Sequence, residues 1–265
     1  MSSTKSPFPT AIPIGGDNGR GRAPPADSLL IVVGHGTGSP AGDAALHHFV
    51  AELAARGIFA DVKAALLRGE PSLAHAARAA HGAKGGAIRL LPFLMSGGVT
   101  FRERLAGAMA EIPWTGRPLL YPPLGFNPDL AGLLAKRGET AAREASWPVA
   151  ESHLLLIGHG SLRDPVSAQT ARLHQRRIAA QKKFASVEVA FLDQPPRLHD
   201  VLASHAGPLL GVGLFAGEGQ HGARDMAQAF ARAACPARYC GAIGGDKGLA
   251  VLALRHLAQE PWQLG

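Results

Sequence analysis

Two short, entirely apolar runs dominate the hydrophobic pattern of the chain, and each ends at the tripeptide Gly-His-Gly. The first run is Leu29 to Val33 and the second is Leu154 to Ile157. Short apolar runs that end at glycine are typical of buried strands in parallel sheets. Open α/β sheets bind their ligands at the carboxyl ends of such strands. We therefore expect His35 and His159 to lie at the tips of two buried strands.

The similarity between the two regions continues downstream of both histidines. VEVAFLDQPP and LLGVGLFAGEGQHGARDM follow His159, and DVKAALLRGEP and AIRLLPFLMSGGVTFRERL follow His35 at nearly the same distances. Helical patterns separate these apolar runs, so the order is βαβ and indicates parallel sheets covered on both faces. The sequence predicts an α/β protein with two parallel-sheet domains related by internal duplication. The predicted strands are Leu29–Val33, Val62–Leu67, Ala87–Leu91, a short fourth one near residues 117–121, Ser152–Ile157, Val187–Phe191, Leu209–Leu214 and Ala237–Gly241.

Changes in composition suggest where the domains begin and end. Residues 1–27 are rich in Pro, Gly and polar residues and lack an apolar core, which is typical of a disordered tail. Residues 138–150 are polar and alanine-rich, with a break at Pro148, and are predicted to be a linker, with some helix as the alternative. The predicted domains are therefore residues 28–137 and 151–265.

Corresponding positions in the two copies carry residues with different chemical properties. The second copy places His159, Asp193 and His221 after three successive strands. The corresponding positions in the first copy are occupied by His35, Arg68 and Val99. Two neutral imidazoles and one carboxylate suit a divalent transition metal, and three ligands leave positions open for a substrate. Asp193 has a plainer alternative role, because an Asp before Gln-Pro-Pro can cap the next helix. The other histidines that we considered are expected to be helix-surface or capping residues: His47, His48, His75, His81, His174, His199, His205 and His256.

The motifs GHGSLRDP, VEVAFLDQPP and GLFAGEGQHGARDM resemble the class II tetrapyrrole chelatases, in particular the sirohydrochlorin cobaltochelatase and ferrochelatase branch. The resemblance implies two flavodoxin-like halves and insertion of Co²⁺ or Fe²⁺ into sirohydrochlorin or a related tetrapyrrole, in cobalamin or siroheme biosynthesis. It further implies that His159 and His221 bind metal and accept protons and that Asp193 is the acidic ligand. The metal is a substrate, and no permanently bound cofactor is expected. Arg68 and Val99 depart from the family pattern, so the first domain is expected to carry a degenerate metal site that retains His35.

Charge and composition narrow the choice of partner. The chain has a formal charge of +7 and a pI near 9.9, which suits an anionic partner. Aromatic residues make up only 6% and are not interleaved with basic runs, which argues against nucleic-acid binding. The resemblance implies a substrate with many carboxylates, and Arg163, Arg224 and Arg102 are candidates to bind them through two-donor guanidinium forks. Each arginine has the alternative of a solvated surface charge or an ion pair with a neighbouring acid.

The sequence also gives expectations about compartment and assembly. No apolar stretch approaches 18 residues, so no membrane-spanning helix is expected. Cys235 and Cys240 fit neither a zinc nor a disulfide pattern and are expected to be free thiols in a reducing cytoplasm. We expect a monomer or weak homodimer, because the duplication already supplies two halves.

Two alternative functions belong to other classes. A metal or tetrapyrrole carrier would keep the fold and the ligands without turnover. A histidine-dependent phosphoryl-transfer enzyme or hydrolase would use His159 as nucleophile or base, but the arginine that precedes histidine in Arg-His-Gly phosphatases is missing here.

Overall fold

A computed structural model describes residues 25–81, 86–98, 100–114, 116–219 and 223–262. Residues 1–24, which make up most of the predicted disordered tail, lie outside this range. The chain divides into two compact units. The first contains the residues up to Asn127 together with those from Ala250 onward, and the second contains Pro128–Leu249.

The first unit contains a four-stranded parallel sheet in the order β2-β1-β3-β4. Its strands are β1 Leu29–Gly34, β2 Asp61–Leu66, β3 Ile88–Pro92 and β4 Leu119–Leu120. The helices of this half are α1 Pro40–Ala54, α2 Leu73–His81, a π-helical segment Thr100–Leu105 and α3 Ala106–Ala110. Every residue of β1 is buried, because helices pack on both faces of this central strand.

The second unit repeats this arrangement with a sheet in the order β6-β5-β7-β8. Its strands are β5 His153–Gly158, β6 Ser186–Phe191, β7 Leu209–Gly213 and β8 Ala237–Ala242. The remaining α-helices in the described part of the chain are α4 Leu130–Glu144, α5 Val166–Ala179, α6 Leu198–Ser204, α7 Ala223–Ala231 and α8 Leu249–Leu257. The two sheets are separate and have matching strand orders, so the predicted α/β class and internal duplication are confirmed.

The division of the chain differs from the predicted domains, because α4 belongs to the second unit. The predicted linker, residues 138–150, begins inside this helix. Gly138 of α4 lies so close to the second sheet that an added Cβ would be 2.7 Å from Leu154 Cδ1. Arg137 also donates hydrogen bonds to the carbonyl oxygens of Cys240 (3.3 Å) and Ala242 (2.7 Å) at β8. Burial against these groups makes residues 138–144 a packed helix instead of a linker.

The C-terminal helix α8 lies almost wholly in the first unit, held there by a buried histidine. His256 Nε2 donates to the carbonyl oxygen of Pro122 at 2.8 Å, and Nδ1 lies 3.2 Å from Asn127 Nδ2. Burial lowers the pKa of His256, so the imidazole is neutral. His256 is 2% exposed and His174 is fully buried, so the helix-surface alternative of the prediction is wrong for both.

The described helices give no candidate for a membrane span, since none is both long enough and apolar enough to cross a bilayer.

Candidate active site

His159 and Asp193 lie together at the carboxyl edge of the second sheet. His159 directly follows the central strand β5, and Asp193 follows the end of the neighbouring strand β6 by two residues. The Asp193 backbone N–H donates to the His159 carbonyl oxygen at 2.9 Å, which joins the two loops. Both side chains are exposed. Parallel strands bring their carboxyl ends to one edge, and this edge therefore presents an imidazole and a carboxylate to solvent.

Gly160 explains why a glycine must follow His159. Its φ of 74° lies in the left-handed region, where glycine is favoured. A Cβ at this position would also lie 2.6 Å from Gln194 Cγ and 2.9 Å from Phe191 Cβ. The Ser161 backbone N–H donates to Gln194 Oε1 at 2.6 Å. The glycine thus allows the His159 loop to pack closely against the Asp193 loop.

Phe215 supports the His159 side chain from the loop after β7. The two ring centroids are 4.9 Å apart, with a tilt of 60° between the ring planes. Phe215 itself is buried, at 8% exposure, and belongs to the apolar core under the sheet. Packing of the imidazole on a fixed aromatic ring restricts its orientation.

Glu218 ties the loop after β7 to the edge strand β8. Its Oε1 accepts the Ala242 backbone N–H at 2.8 Å, and its Oε2 accepts the Tyr239 hydroxyl at 3.0 Å. Burial and the neighbouring Glu218 carboxylate raise the pKa of Tyr239, so the phenol keeps its proton and remains a donor. This clamp holds the segment that leads to His221, which lies outside the described residues.

Gly244, in the 3₁₀ turn after β8, packs closely against the loop that follows β7. Its backbone N–H donates to the Phe215 carbonyl oxygen at 2.9 Å, and an added Cβ would lie 1.8 Å from the Ala216 carbonyl oxygen. Gly125 has the equivalent place in the first unit, where an added Cβ would lie 2.0 Å from the Met95 carbonyl oxygen. Both copies therefore use a glycine to bring the fourth strand's turn onto the loop that follows the third strand.

The loop after His159 presents both an apolar and a basic side chain. Leu162 is 78% exposed, and Arg163 is also exposed. The loop is shaped by Ser161 Oγ, which accepts the backbone N–H groups of Arg163 and Asp164, both at 3.2 Å. Asp164 is buried and its carboxylate accepts the Val166 N–H at 2.9 Å, which caps the start of α5. Arg224, near the start of α7, is likewise exposed.

The first copy has the same backbone arrangement with different side chains. Gly36 has a φ of 81°, and an added Cβ would lie 1.8 Å from the Arg68 carbonyl oxygen. Arg68 follows the end of β2 by two residues, as Asp193 follows β6, so the register inferred from sequence matches the structure here. His35 and Arg102 are half-buried and Arg68 is exposed. Val99 lies outside the described residues.

Sequence reasoning missed several residues that shape this edge: Leu162, Gln194, Phe215 and Glu218. Phe215 and Glu218 lie within the motif that carries His221 and Arg224. The sequence offers one signal for each residue: Phe215 is an aromatic residue directly after a buried strand, and Glu218 is a lone acid between two glycines. Neither signal specifies a partner, because His159 and Tyr239 are distant in sequence.

His159 and Asp193 together can perform two kinds of chemistry. A neutral imidazole and a carboxylate are ligands for divalent iron, cobalt or zinc, and the imidazole can also accept a proton. Asp193 and Asp225 also border a groove of about 480 Å³ between α6 and α7. The edge therefore offers metal ligands beside a surface that is open to a substrate.

Solved structures share this fold. CbiX, titled the terminal enzyme for biosynthesis of siroheme in denitrifying bacteria, is 22% identical, with a TM-score of 0.68 over 86% of this chain and 97% of that chain. SirB from Bacillus subtilis with Fe³⁺ is 16% identical, with a TM-score of 0.70 over 86% of this chain and 93% of that one. The sirohydrochlorin chelatase SirB from Bacillus subtilis subspecies spizizenii in complex with cobalt is 16% identical, with a TM-score of 0.66 over 87% of this chain and 94% of that one.

At these identities the likeness establishes the fold, and the family is established separately from sequence. No curated protein matches the chain in sequence. The sequence pattern of the CbiX family, however, matches residues 29–141 and again residues 153–260. The two matches cover both sheets and the loops that hold His35, His159 and Asp193, and the chain therefore belongs to the CbiX family.

Proposed function

We propose that this protein inserts a divalent metal ion, Co²⁺ or Fe²⁺, into sirohydrochlorin or a related tetrapyrrole. Membership of the CbiX family supports this reaction. Two structures of the same fold are SirB proteins, one with Fe³⁺ and one, named a sirohydrochlorin chelatase, with cobalt. The proposed setting is cobalamin or siroheme biosynthesis.

The observation that carries the proposal is the pairing of His159 with Asp193. Their loops are joined by the 2.9 Å backbone hydrogen bond, and both side chains are exposed at the same sheet edge. Metal insertion needs an open site, because the ion must pass from protein ligands to ring nitrogens. A closed four-ligand site would instead retain the ion.

The reaction also requires a base, since two pyrrole N–H protons leave as the dication enters the ring. A histidine suits this role, because an ordinary imidazole pKa of about 6.5 leaves the neutral form available near pH 7. We assign metal binding to His159, Asp193 and His221, and proton acceptance to the two histidines. The Asp193 carboxylate reduces the net charge of the bound ion, which lowers the cost of removing part of its hydration shell.

The substrate side of the proposal uses the residues around His159. The exposed Leu162 can contact the apolar face of a macrocycle, while Arg163 and Arg224 bind its peripheral carboxylates. We propose a similar role for Arg102 at the equivalent place in the first unit.

We propose that the first copy does not bind metal. Arg68 stands where the second copy has Asp193, and a guanidinium repels a cation by roughly 1 kcal/mol per unit charge at 4 Å in water. In a partly desolvated site the repulsion is several-fold larger. His35 is retained, and we assign it proton acceptance alone.

Anaerobic incubation with sirohydrochlorin and Co²⁺ or Fe²⁺, followed by the change in tetrapyrrole absorbance, tests the proposal. We expect His159→Ala to abolish insertion and Asp193→Asn to weaken metal binding. His35→Ala should slow turnover with metal affinity nearly intact. The matched control is His48→Ala, because His48 is exposed and lies within helix α1 and not in a loop at a strand tip. A protein that binds metal and tetrapyrrole without forming the metallated product would be a carrier, which would refute the proposed reaction.

We further propose that the enzyme acts in the cytoplasm as a monomer or weak homodimer. Half-buried thiols at Cys235 and Cys240 suit a reducing compartment, and the duplication supplies two halves in one chain. Light scattering at working concentration distinguishes a monomer from a stable dimer.

A further inference from the structure

A second group of potential metal ligands lies at the amino edge of the second sheet. His153, Glu188 and His205 each offer one ligand atom, and these atoms lie within 4.8 Å of one another. All three residues are half-buried. Within the part of the chain that the structure describes, this is the only such group of three His, Cys, Asp or Glu residues.

The sheet register places two of these ligands on one face. His153 opens β5 and pairs with Ser186, and Leu155 pairs with Glu188 on the same parallel ladder. Side chains two residues apart on a strand share a face, so His153, Ser186 and Glu188 point the same way. His205 follows the last residue of α6 and reaches the group from the adjoining loop. The three residues therefore come from three segments that are separate in sequence.

A chain of hydrogen bonds leaves one nitrogen of His153 available for a metal. The Ser186 hydroxyl donates to Glu188 Oε1 at 2.7 Å, which uses its single proton. The 2.8 Å contact between Ser186 Oγ and His153 Nδ1 therefore requires Nδ1 to carry the proton and donate. In the neutral imidazole Nε2 then has a free lone pair. Metal-binding histidines characteristically donate their other N–H in this way.

The arrangement of the two rings fits a shared ion. Their centroids are 4.7 Å apart and their planes are at 83°. Two imidazoles bound to one ion through nitrogens at about 2.1 Å have centroids roughly 4.6–5.3 Å apart at coordination angles of 90–110°. His205 Nε2 is buried and has no hydrogen-bond partner among the described residues. A buried polar nitrogen without a partner is costly, and a metal ion would satisfy it.

Gly207 allows the chain to pass close to the Nε2 atom of His153. It has a φ of 90°, and an added Cβ would lie 2.9 Å from His153 Nε2. The absence of a side chain keeps this face of the imidazole open to a small ligand.

We propose that His153, Glu188 and His205 bind a divalent transition-metal ion such as Zn²⁺. Two histidines and one glutamate form an established zinc ligand set, with water completing the coordination. Forming a tetrahedral site with ligand atoms roughly 3.4 Å apart requires the three side chains to move closer together. The bound ion joins the starts of β5 and β6 to the loop between α6 and β7.

This site is separate from the proposed chelatase site. His153 and His159 lie at opposite ends of β5, and a strand rises about 3.3 Å per residue, which places them roughly 20 Å apart. The inference therefore does not depend on the proposed reaction.

Metal titration of the full chain in a His159→Ala background tests the site, because that change removes one of the three ligands proposed at the carboxyl edge and so weakens metal binding there. After chelator treatment, Zn²⁺ is followed by calorimetry and Co²⁺ by its visible absorption. We expect one equivalent to bind, with Co²⁺ absorption typical of nitrogen and oxygen ligands, and Zn²⁺ to raise the unfolding midpoint. In the same background, Ser186→Ala should lower affinity by about 10- to 100-fold, as loss of a residue that orients a ligand does. His205→Gln and Glu188→Gln should lower it further.

The matched control is His199→Gln, an exposed histidine on the adjoining helix, which should leave affinity unchanged. Circular dichroism checks that each variant is folded, and His153→Gln replaces any variant that is not. In a chain with His159 intact, His205→Gln should leave metal insertion unchanged. The site is refuted if the His159→Ala chain binds no metal. It is also refuted if the metal affinity of that chain does not change when His205 or Glu188 is replaced, or when His153 is replaced in place of a variant that does not fold.

Discussion

Replacing Gly244 by alanine is expected to disturb the carboxyl edge of the second sheet through a single backbone contact. The added Cβ would lie 1.8 Å from the Ala216 carbonyl oxygen, 2.3 Å from its carbon and 2.8 Å from the Ala216 Cα. An ordinary contact is at least 3.4 Å, so the two segments must separate by roughly 1.5 Å. The obstacle is backbone, which cannot rotate away as a side chain would.

The magnitude follows from the kind of change. Forcing a methyl group into a packed region typically costs about 1–3 kcal/mol. The displacement also strains the 2.9 Å hydrogen bond from Gly244 to Phe215, the residue that packs on His159. A misplacement of about 1 Å near a reacting group can lower a rate by roughly 100-fold. We therefore expect lower stability and a 10- to 100-fold slower metal insertion.

Gly245 is the control for Gly244, because it lies in the same 3₁₀ turn and an added Cβ there would meet nothing within 4 Å. Neither glycine has a positive φ, so conformational strain does not distinguish the two substitutions. Urea unfolding and the anaerobic insertion assay would be measured on both alanine variants. Equal stability and equal rates in the two would show that the contact does not position the loop.

Three further outcomes are expected. The free energy of unfolding should fall as the pH drops below about 6.5, because burial lowers the pKa of His256 in the folded protein and the unfolded chain therefore binds the proton first. Urea unfolding midpoints measured from pH 5 to 8 should change less with pH in His256→Gln than in the original protein. Burial raises the pKa of Cys240 to about 12, so alkylation at pH 8 should be at least about 100-fold slower than in the unfolded chain, as mass spectrometry would measure; comparable rates would contradict this burial. Arg163→Ala and Arg224→Ala should weaken tetrapyrrole binding more at low salt than at high salt; fluorescence titrations that show unchanged affinity at every ionic strength would remove these residues from the substrate site.

Much of the fold could be predicted because its signals are local. The apolar runs before His35 and His159 form fully or mostly buried central strands, since a strand covered on both faces must be apolar throughout. The repeated motifs predicted two sheets with matching strand order. The glycine after His159 is also a local signal, because the positive φ of Gly160 and its close contact with Gln194 both exclude a side chain.

The pairing of His159 with Asp193 was also predictable, because it depends only on strand order. Both residues follow adjacent parallel strands, and such strands end at the same edge. The roles of Phe215 and Glu218 were not predictable. Their partners come from other segments of the chain, and sequence spacing carries no information about such contacts.

The sequence by itself determined the duplication, the α/β class and the placement of histidines at the tips of the central strands, because periodicity and strand order express these directly. Only the tertiary structure decided which sheet each connecting helix covers. The pattern of α4 shows an apolar face but not its partner, and Arg137 selects the second sheet through its contacts at β8. The same limit applies to His153, Glu188 and His205. Three residues from a strand start, a neighbouring strand and a helix end meet only when the chain is folded.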